Sequence, residues 1–502
     1  MRARSVVFAS LLLLPALWLA PAHASGTARD GIVLGERGTP LVYTLFEPAG
    51  ASASSPVPVI LRTHGYGGSR ETTPSTTAQA LLDAGYAVIT WDQRGFGQSG
   101  DTVQLDSPQW EVKDVSHILD YLATLPEIQK SAAGAPLAGM SGYSYAGALQ
   151  LTTGAVEPRL LALAPEYTWH DLRYSLTPNG VIKSEWVNLF FADGLATSTE
   201  AGLAPGNPAG PQAGGYDTNL PTWYAEVTAA GQPVADVAHE LQIRSPVAYT
   251  TTQPTLFIQG LPDSLFNANE AIAGYQQQLA TGSATKLVLF CGGHSSCPYS
   301  DAGERAHLDA LIVAWMDKYV RGAASTDTGP NVEWYDSSDA LHTANAWPPT
   351  SLAATGSGAH TLVAAPVVMA GAAVVSASSA KPSQDPTGAT SFRVPIAAPD
   401  GANLIGVPVA TITLTDTTPH AAQPRTLFLR LVDTTTGAVV DGQTTPIAMN
   451  AGTTTLDLAG VGFVMPHGDA LALEVGTNDL AFTASREPGA FSVSVSVSVP
   501  YI

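Results

Sequence analysis

Apolar residues along the first 320 positions follow two alternating rhythms. Short unbroken apolar runs at 58–63, 87–91, 137–140, 160–164, 255–259 and 286–290 predict buried strands. Between them, stretches such as 110–125 place Val112, Val115, Ile118, Leu119 and Leu122 at helical spacing. Helices are also expected over 76–84, 267–279 and 302–320, and a strand pair at 31–36 and 41–46 with a turn at Gly38-Thr39-Pro40. Strands that alternate with helices predict a mostly parallel sheet covered on both faces. The alternation pauses over about 165–245, a stretch rich in Trp, Tyr, Gly and Pro, which reads as a cap inserted above the sheet. Residues 322–330 have linker composition. From 331 to 502, helical spacing almost disappears and short Val-, Thr- and Leu-rich segments lie between Gly, Asp, Asn and Pro turns. The run Ser492 to Val499 alternates strictly, as a half-buried strand does. This second part is expected to be an all-β sandwich or jelly roll.

The first residues have a different pattern. Arg2 and Arg4 precede an apolar run from Val6 to Trp18, and Ala22-His23-Ala24 closes it with small residues. This predicts a signal peptide over 1–24 and export of the remainder, which becomes secreted or periplasmic. The run is short and broken by Pro15, and no later segment has the roughly 20 apolar residues that a spanning helix needs. No membrane anchor is expected.

Charge narrows the partners. Charged residues make up 13% of the chain, about half of the common share of roughly 25%. The formal net charge is −20, which repels nucleic acid and anionic membranes alike. Cys291 and Cys297 are the two cysteines, and in an exported chain their proximity predicts a disulfide closing a short loop. A metal site using both with His294 is the competing reading, and it lacks a second Cys/His cluster. No metal and no organic cofactor are expected.

The chemistry concentrates around Ser144. It follows the apolar run 137–140 and sits within Gly142-Tyr143-Ser144-Tyr145-Ala146-Gly147, before a helical stretch. Small residues there permit the sharp strand-to-helix turn that lifts a hydroxyl clear of a sheet. The usual second glycine position holds Ala146, with glycine one place later. A serine nucleophile needs a base, and the base needs an acid to orient it. In a parallel-sheet hydrolase these follow in the order Ser, Asp or Glu, His. Asp263 follows the strand 255–259, and His294 follows the strand 286–290. Order, spacing and strand-end placement together predict the triad Ser144, Asp263 and His294. The amide of Tyr145 is one expected oxyanion donor, and the second should come from the loop His64 to Gly68. His64 itself reads as structural. Asp92 is expected to organise its own turn with Arg94 and the neighbouring glycines.

With these residues in view, the chain resembles the α/β-hydrolases of the X-Pro dipeptidyl-peptidase and cocaine-esterase (CocE/NonD-like) type. The resemblance rests on the elbow at 142–147, the Asp263 and His294 loops, the carboxyl-terminal β domain and Trp347-Pro348-Pro349 at its junction. It implies an α/β-hydrolase domain over 25–321 followed by a jelly roll packed beside the site. It also implies that the Tyr66 hydroxyl serves the oxyanion with the Tyr145 amide. His64-Gly65 is more like the pair found in lipases and esterases, which leaves a backbone amide of Tyr66 or Gly67 as the alternative.

The expected activity is hydrolysis of an ester or amide bond in a small-molecule or peptide substrate through an acyl-enzyme. Dipeptidyl-peptidase action would require an anion for the substrate's free amine. Glu166 and Asp171, beside Trp169, are the candidate anchors and pocket wall. Esterase action requires no such anchor. The opposing class is a binding protein on a non-catalytic hydrolase scaffold, with the β domain recognising carbohydrate or cell wall.

Overall fold

The computed structural model describes residues 26–203, 215–299, 301–364, 390–416, 424–483 and 488–502. The expected signal peptide lies outside them, as do residues 204–214 of the expected cap.

The first domain is built on ten strands: β1 (Thr27–Leu34), β2 (Pro40–Glu47), β3 (Val59–Thr63), β4 (Ala87–Trp91), β5 (Ala138–Tyr143), β6 (Leu160–Glu166), β7 (Thr255–Gly260), β8 (Thr285–Phe290), β9 (Val332–Tyr335) and β10 (Leu341–Ala344). They form one sheet in the order β1-β2-β4-β3-β5-β6-β7-β8-β9-β10. The strands from β4 to β9 run parallel, while β1, β2 and β10 attach antiparallel at the two ends. Strands β3, β4, β7 and β8 are buried throughout, which explains their unbroken apolar character.

Helices cover both faces. α1 (Thr76–Asp83) is capped by Ser75, whose hydroxyl accepts from the Ala78 amide. α2 (Glu111–Thr124) buries the five apolar positions expected of it, and α3 (Tyr145–Val156) follows Ser144 directly. The cap then contributes α4 (Leu172–Leu176), α5 (Ser184–Leu203), α6 (Asn219–Ala230) and α7 (Ala235–Ile243), all between β6 and β7. α8 (Ala268–Leu279) and α9 (Glu304–Tyr319) complete the domain. α2 and α8 share one apolar core, and α1 and α9 share the other.

The boundary expected at 331 is displaced. Val332–Tyr335 and Leu341–Ala344 belong to the first sheet, because β9 pairs with β8 and buries Val332 and Trp334 in the first core. Beyond them, two four-stranded antiparallel sheets face each other around a second core. The alternating run at 492–499 lies in a strand Gly489–Pro500 that turns Phe491, Val493, Val495, Val497 and Val499 inward. This is the expected β sandwich, and it touches the first domain next to the site. The Asn269 side chain donates to Leu458 O at 2.8 Å and accepts from the Gly460 amide at 2.9 Å.

Candidate active site

Ser144 stands between the end of β5 and the start of α3 with φ 54° and ψ −119°. A positive φ is strained for a residue with a side chain and costs on the order of 1–3 kcal/mol. The turn survives because its neighbours are small. A Cβ added at Gly142 would lie 2.8 Å from the Ala146 Cβ, and one at Gly147 would lie 2.5 Å from the Thr168 Cβ. One glycine at this crossing suffices, which accounts for alanine at 146. Gly147 instead lets Thr168 approach and donate to Ser144 O at 2.6 Å.

The two residues expected from the sequence line up behind this hydroxyl, His294 at it and Asp263 on the far side of the imidazole. His294 Nε2 lies 2.8 Å from Ser144 Oγ, and His294 Nδ1 lies 2.8 Å from Asp263 Oδ2. The same Asp263 oxygen accepts the His294 amide at 3.0 Å. Its other oxygen accepts the amides of Leu265 at 2.9 Å and Phe266 at 3.0 Å. Asp263 is fully buried, so every one of these donors matters to a charge removed from water. Phe266, Tyr167 and Trp186 meet the His294 ring edge to face, with centroids 5.0, 5.5 and 5.9 Å away. The ring is therefore held by packing as well as by Asp263. Chemically, this arrangement lets a neutral imidazole take the serine proton at Nε2 while Nδ1–H stays on the carboxylate.

Cys291 and Cys297 are bonded to each other and bracket His294, with Cα atoms 5.1 Å apart. His64 is structural: Nε2 accepts the Gln93 amide at 2.9 Å, and Nδ1 faces Gly65 O at 2.8 Å. Asp92 does organise its turn, but with Arg70 and the Gln98 amide. Arg94 pairs elsewhere, with Asp114 and Asp101.

The loop at 64–68 comes close to the serine, since a Cβ on Gly65 would lie 3.6 Å from that of Ser144. Tyr66 is half-buried, and desolvation pushes the ionisation of its phenol well above the ordinary value. Its hydroxyl donates to Tyr216 at 2.8 Å, and Tyr216 donates onward to the Phe190 and Phe191 carbonyls. The phenolic proton expected at the oxyanion is thus already committed to the cap.

A cleft of about 940 Å³, its open mouth included, begins at Ser144, Tyr66 and Tyr145 and runs under α4–α7. Trp169 lines it, alongside Phe190, Leu220, Trp223 and Phe266, and none of its described lining residues is charged. Glu166 is not part of this wall. It lies buried at the end of β6, paired with Arg305 at 2.6 Å. Asp171 caps α4 and pairs with Arg173. Glu166 is held by Arg305 of α9 and Asp171 by Arg173, and neither is among the described residues that line the cleft. Among the described residues, no helix is long and apolar enough to cross a membrane.

Two residues near Asp263 carry no catalytic motif. Lys183, between α4 and α5, donates to Ser264 O at 2.8 Å and Leu265 O at 2.7 Å. Gln443, in the β domain, donates to Leu261 O and Asp263 O. Lys183 is a lone cation between apolar residues (Val181, Ile182, Trp186), the one signal that marks it in sequence.

Known proteins share this arrangement of domains. The chain matches the family described as X-Pro dipeptidyl-peptidase (S15 family) over residues 37–296, more than half of its 502 residues. The uncharacterized protein YcjY of Escherichia coli (strain K12) is 33% identical over 93 residues, which is 18% of this chain and 30% of that relative's length. An alpha-amino acid ester hydrolase superposes with a TM-score of 0.68 at 14% identity, covering 96% of this chain and 98% of its own. An aminopeptidase from a marine sediment Thaumarchaeota archaeon gives 0.70 at 13% identity, over 98% and 99%. A CocE/NonD family hydrolase from Staphylococcus aureus gives 0.63 at 14%, over 95% and 94%. The likeness to these structures is one of fold across both domains. The family match covers the elbow, the acid loop and the base loop, and the chain belongs to the X-Pro dipeptidyl-peptidase (S15) family of hydrolases.

Proposed function

We propose that the protein is an exported serine hydrolase that cleaves esters of uncharged, apolar acyl groups through an acyl-enzyme. The observation that carries the reading is the unbroken chain of contacts from Ser144 Oγ through the His294 ring to the buried Asp263 carboxylate. His294 takes the Ser144 proton as Oγ attacks the carbonyl, then gives it to the leaving alcohol. It next deprotonates the water that attacks the acyl carbonyl and returns that proton to Ser144 Oγ as the acid is released, and Asp263 stabilises the imidazolium in both halves. The oxyanion is received by the amides of Tyr145 and Tyr66. Neither amide makes a hydrogen bond within the described protein, and Tyr66 offers its amide because its hydroxyl is bound to Tyr216.

The uncharged cleft supports an ester with an apolar acyl part over a peptide with a free amino terminus. An ammonium placed there would lose its hydration without gaining a carboxylate. Export is supported by the pattern of residues 1–24 and by the Cys291–Cys297 bond.

The test is labelling by a fluorophosphonate, followed by rate comparison between aryl esters and Ala-Pro amides. An adduct at Ser144 with turnover of the esters is expected, and Ser144→Ala should lose activity by several orders of magnitude. No adduct in folded protein would favour the non-catalytic binding role. Amide cleavage that requires a free amino terminus would favour the dipeptidyl-peptidase role.

A further inference from the structure

Asp263 is held by more than its own loop. The peptide unit joining Ser264 to Leu265 donates its N–H to Asp263 Oδ1, and the next unit, joining Leu265 to Phe266, does the same. A peptide unit is rigid and planar, with its carbonyl pointing opposite to its N–H. The carbonyl ends of these same two units, Ser264 O and Leu265 O, are both bound by the Lys183 ammonium. A buried cation and a buried carboxylate thus sit at opposite ends of two parallel peptide dipoles.

We propose that Lys183 is a positioning residue for the catalytic acid, fixing and polarising the two peptide units that hold the Asp263 carboxylate. The proposal rests on the triad reading above and extends it into the cap. Polarised N–H donors bind a carboxylate more strongly, and in a low-dielectric site chains of hydrogen bonds reinforce each other. Lys183 is itself fixed in place: its amide donates to Leu176 O at 2.9 Å, and its carbonyl receives the Val187 amide at 3.0 Å in the first turn of α5. It does not line the cleft, so its influence reaches substrate only through Asp263. A neutral residue of similar length would fill the space but leave both peptide units unpolarised.

Titration separates a charged clamp from a simple plug. Burial lowers the Lys183 ammonium from 10.5 to about 8, against the favourable charges of Asp263 on the acid loop and Glu270 on α8. The phenols of Tyr66 and Tyr145 are pushed well above 10 by burial, out of this range. Rising pH therefore removes the Lys183 charge first.

The experiment measures kcat for a neutral aryl ester across the alkaline range in wild type, Lys183→Arg and Lys183→Met. Wild-type kcat should fall as pH rises through about 8, and Lys183→Arg, which keeps its charge, should hold level. Lys183→Met should be slower by roughly 10- to 100-fold in kcat at neutral pH, with KM nearly unchanged and no alkaline fall. A wild-type kcat that stays flat to pH 9.5, an equal fall in Lys183→Arg, or a folded Lys183→Met within twofold of wild type would each overturn the proposal. If Lys183→Met does not fold, the wild-type and Lys183→Arg profiles decide. Loss of turnover in Ser144→Ala alongside an unaffected Lys183→Met would remove the role of Lys183 and leave the triad standing.

Discussion

The side-chain amide of Gln443 in the β domain donates to the main-chain carbonyl of Asp263 at 3.1 Å. The same nitrogen reaches Leu261 O at 2.9 Å, so one side chain of the second domain spans the acid loop of the first. The β domain also grips the cap near Lys183, where Thr483 donates to Ile182 O and Glu185 donates to Ala481 O. The sandwich is therefore part of the frame around the Asp263 loop of the candidate triad.

Gln443→Ala should show this coupling. Gln443 is buried, and its removal strips a donor from two buried carbonyls, a loss of about 1–3 kcal/mol. Chemical denaturation should record that loss, and kcat should fall more than KM rises. Unchanged stability and unchanged kcat would show that the acid loop holds its shape without the second domain.

Gly293 tests how closely the base loop fits the acid. It has φ +102°, and a Cβ there would lie 2.4 Å from Asp263 Oδ2. Gly293→Ala is both strained and in collision with the carboxylate that His294 uses. We expect kcat to drop by roughly 10²-fold, the cost of a misplacement of about 1 Å. A kcat within threefold of wild type in the folded variant would contradict this placement.

Stability should depend on pH through buried carboxyls. Burial raises Glu111, Glu270 and Glu304 to about 7 and Asp441 to about 6. A carboxyl raised on folding binds more protons in the folded chain between its unfolded and folded values, so stability falls as pH rises through that window. Buried His64 and His170 are lowered, His170 to about 4, and act in the opposite sense below 6.5. The carboxyls outnumber them, and from 6.5 to about 7 they act alone. Thermal melting should give a higher Tm near pH 5 than at pH 7.5. An increase in Tm over that interval would contradict the burial of these groups.

The order of strands and helices was legible in sequence because each element carries its own period. The buried strands are unbroken apolar runs, and α2 shows its inward face at helical spacing. The candidate triad was legible for a related reason. In a parallel sheet, loops at the carboxyl ends of neighbouring strands converge, so Ser144, Asp263 and His294 could be placed by chain order. The disulfide followed from two cysteines six residues apart.

What required the tertiary structure depends on long-range pairing. Val332–Tyr335 looks like the first strand of a β domain, and only its pairing with β8 assigns it to the first sheet. Glu166 sits one residue before a cluster of aromatics, yet the fold pairs it with Arg305, 139 positions away. The Tyr66 hydroxyl is committed by Tyr216, 150 positions along the chain. Gln443 has no local pattern at all, and Lys183 has only its apolar neighbours, because their meaning lies in which carbonyls they meet. Local period and strand-end placement determine which residues are candidates for the chemistry. Contacts between distant segments decide which groups face the substrate and what holds the acid still.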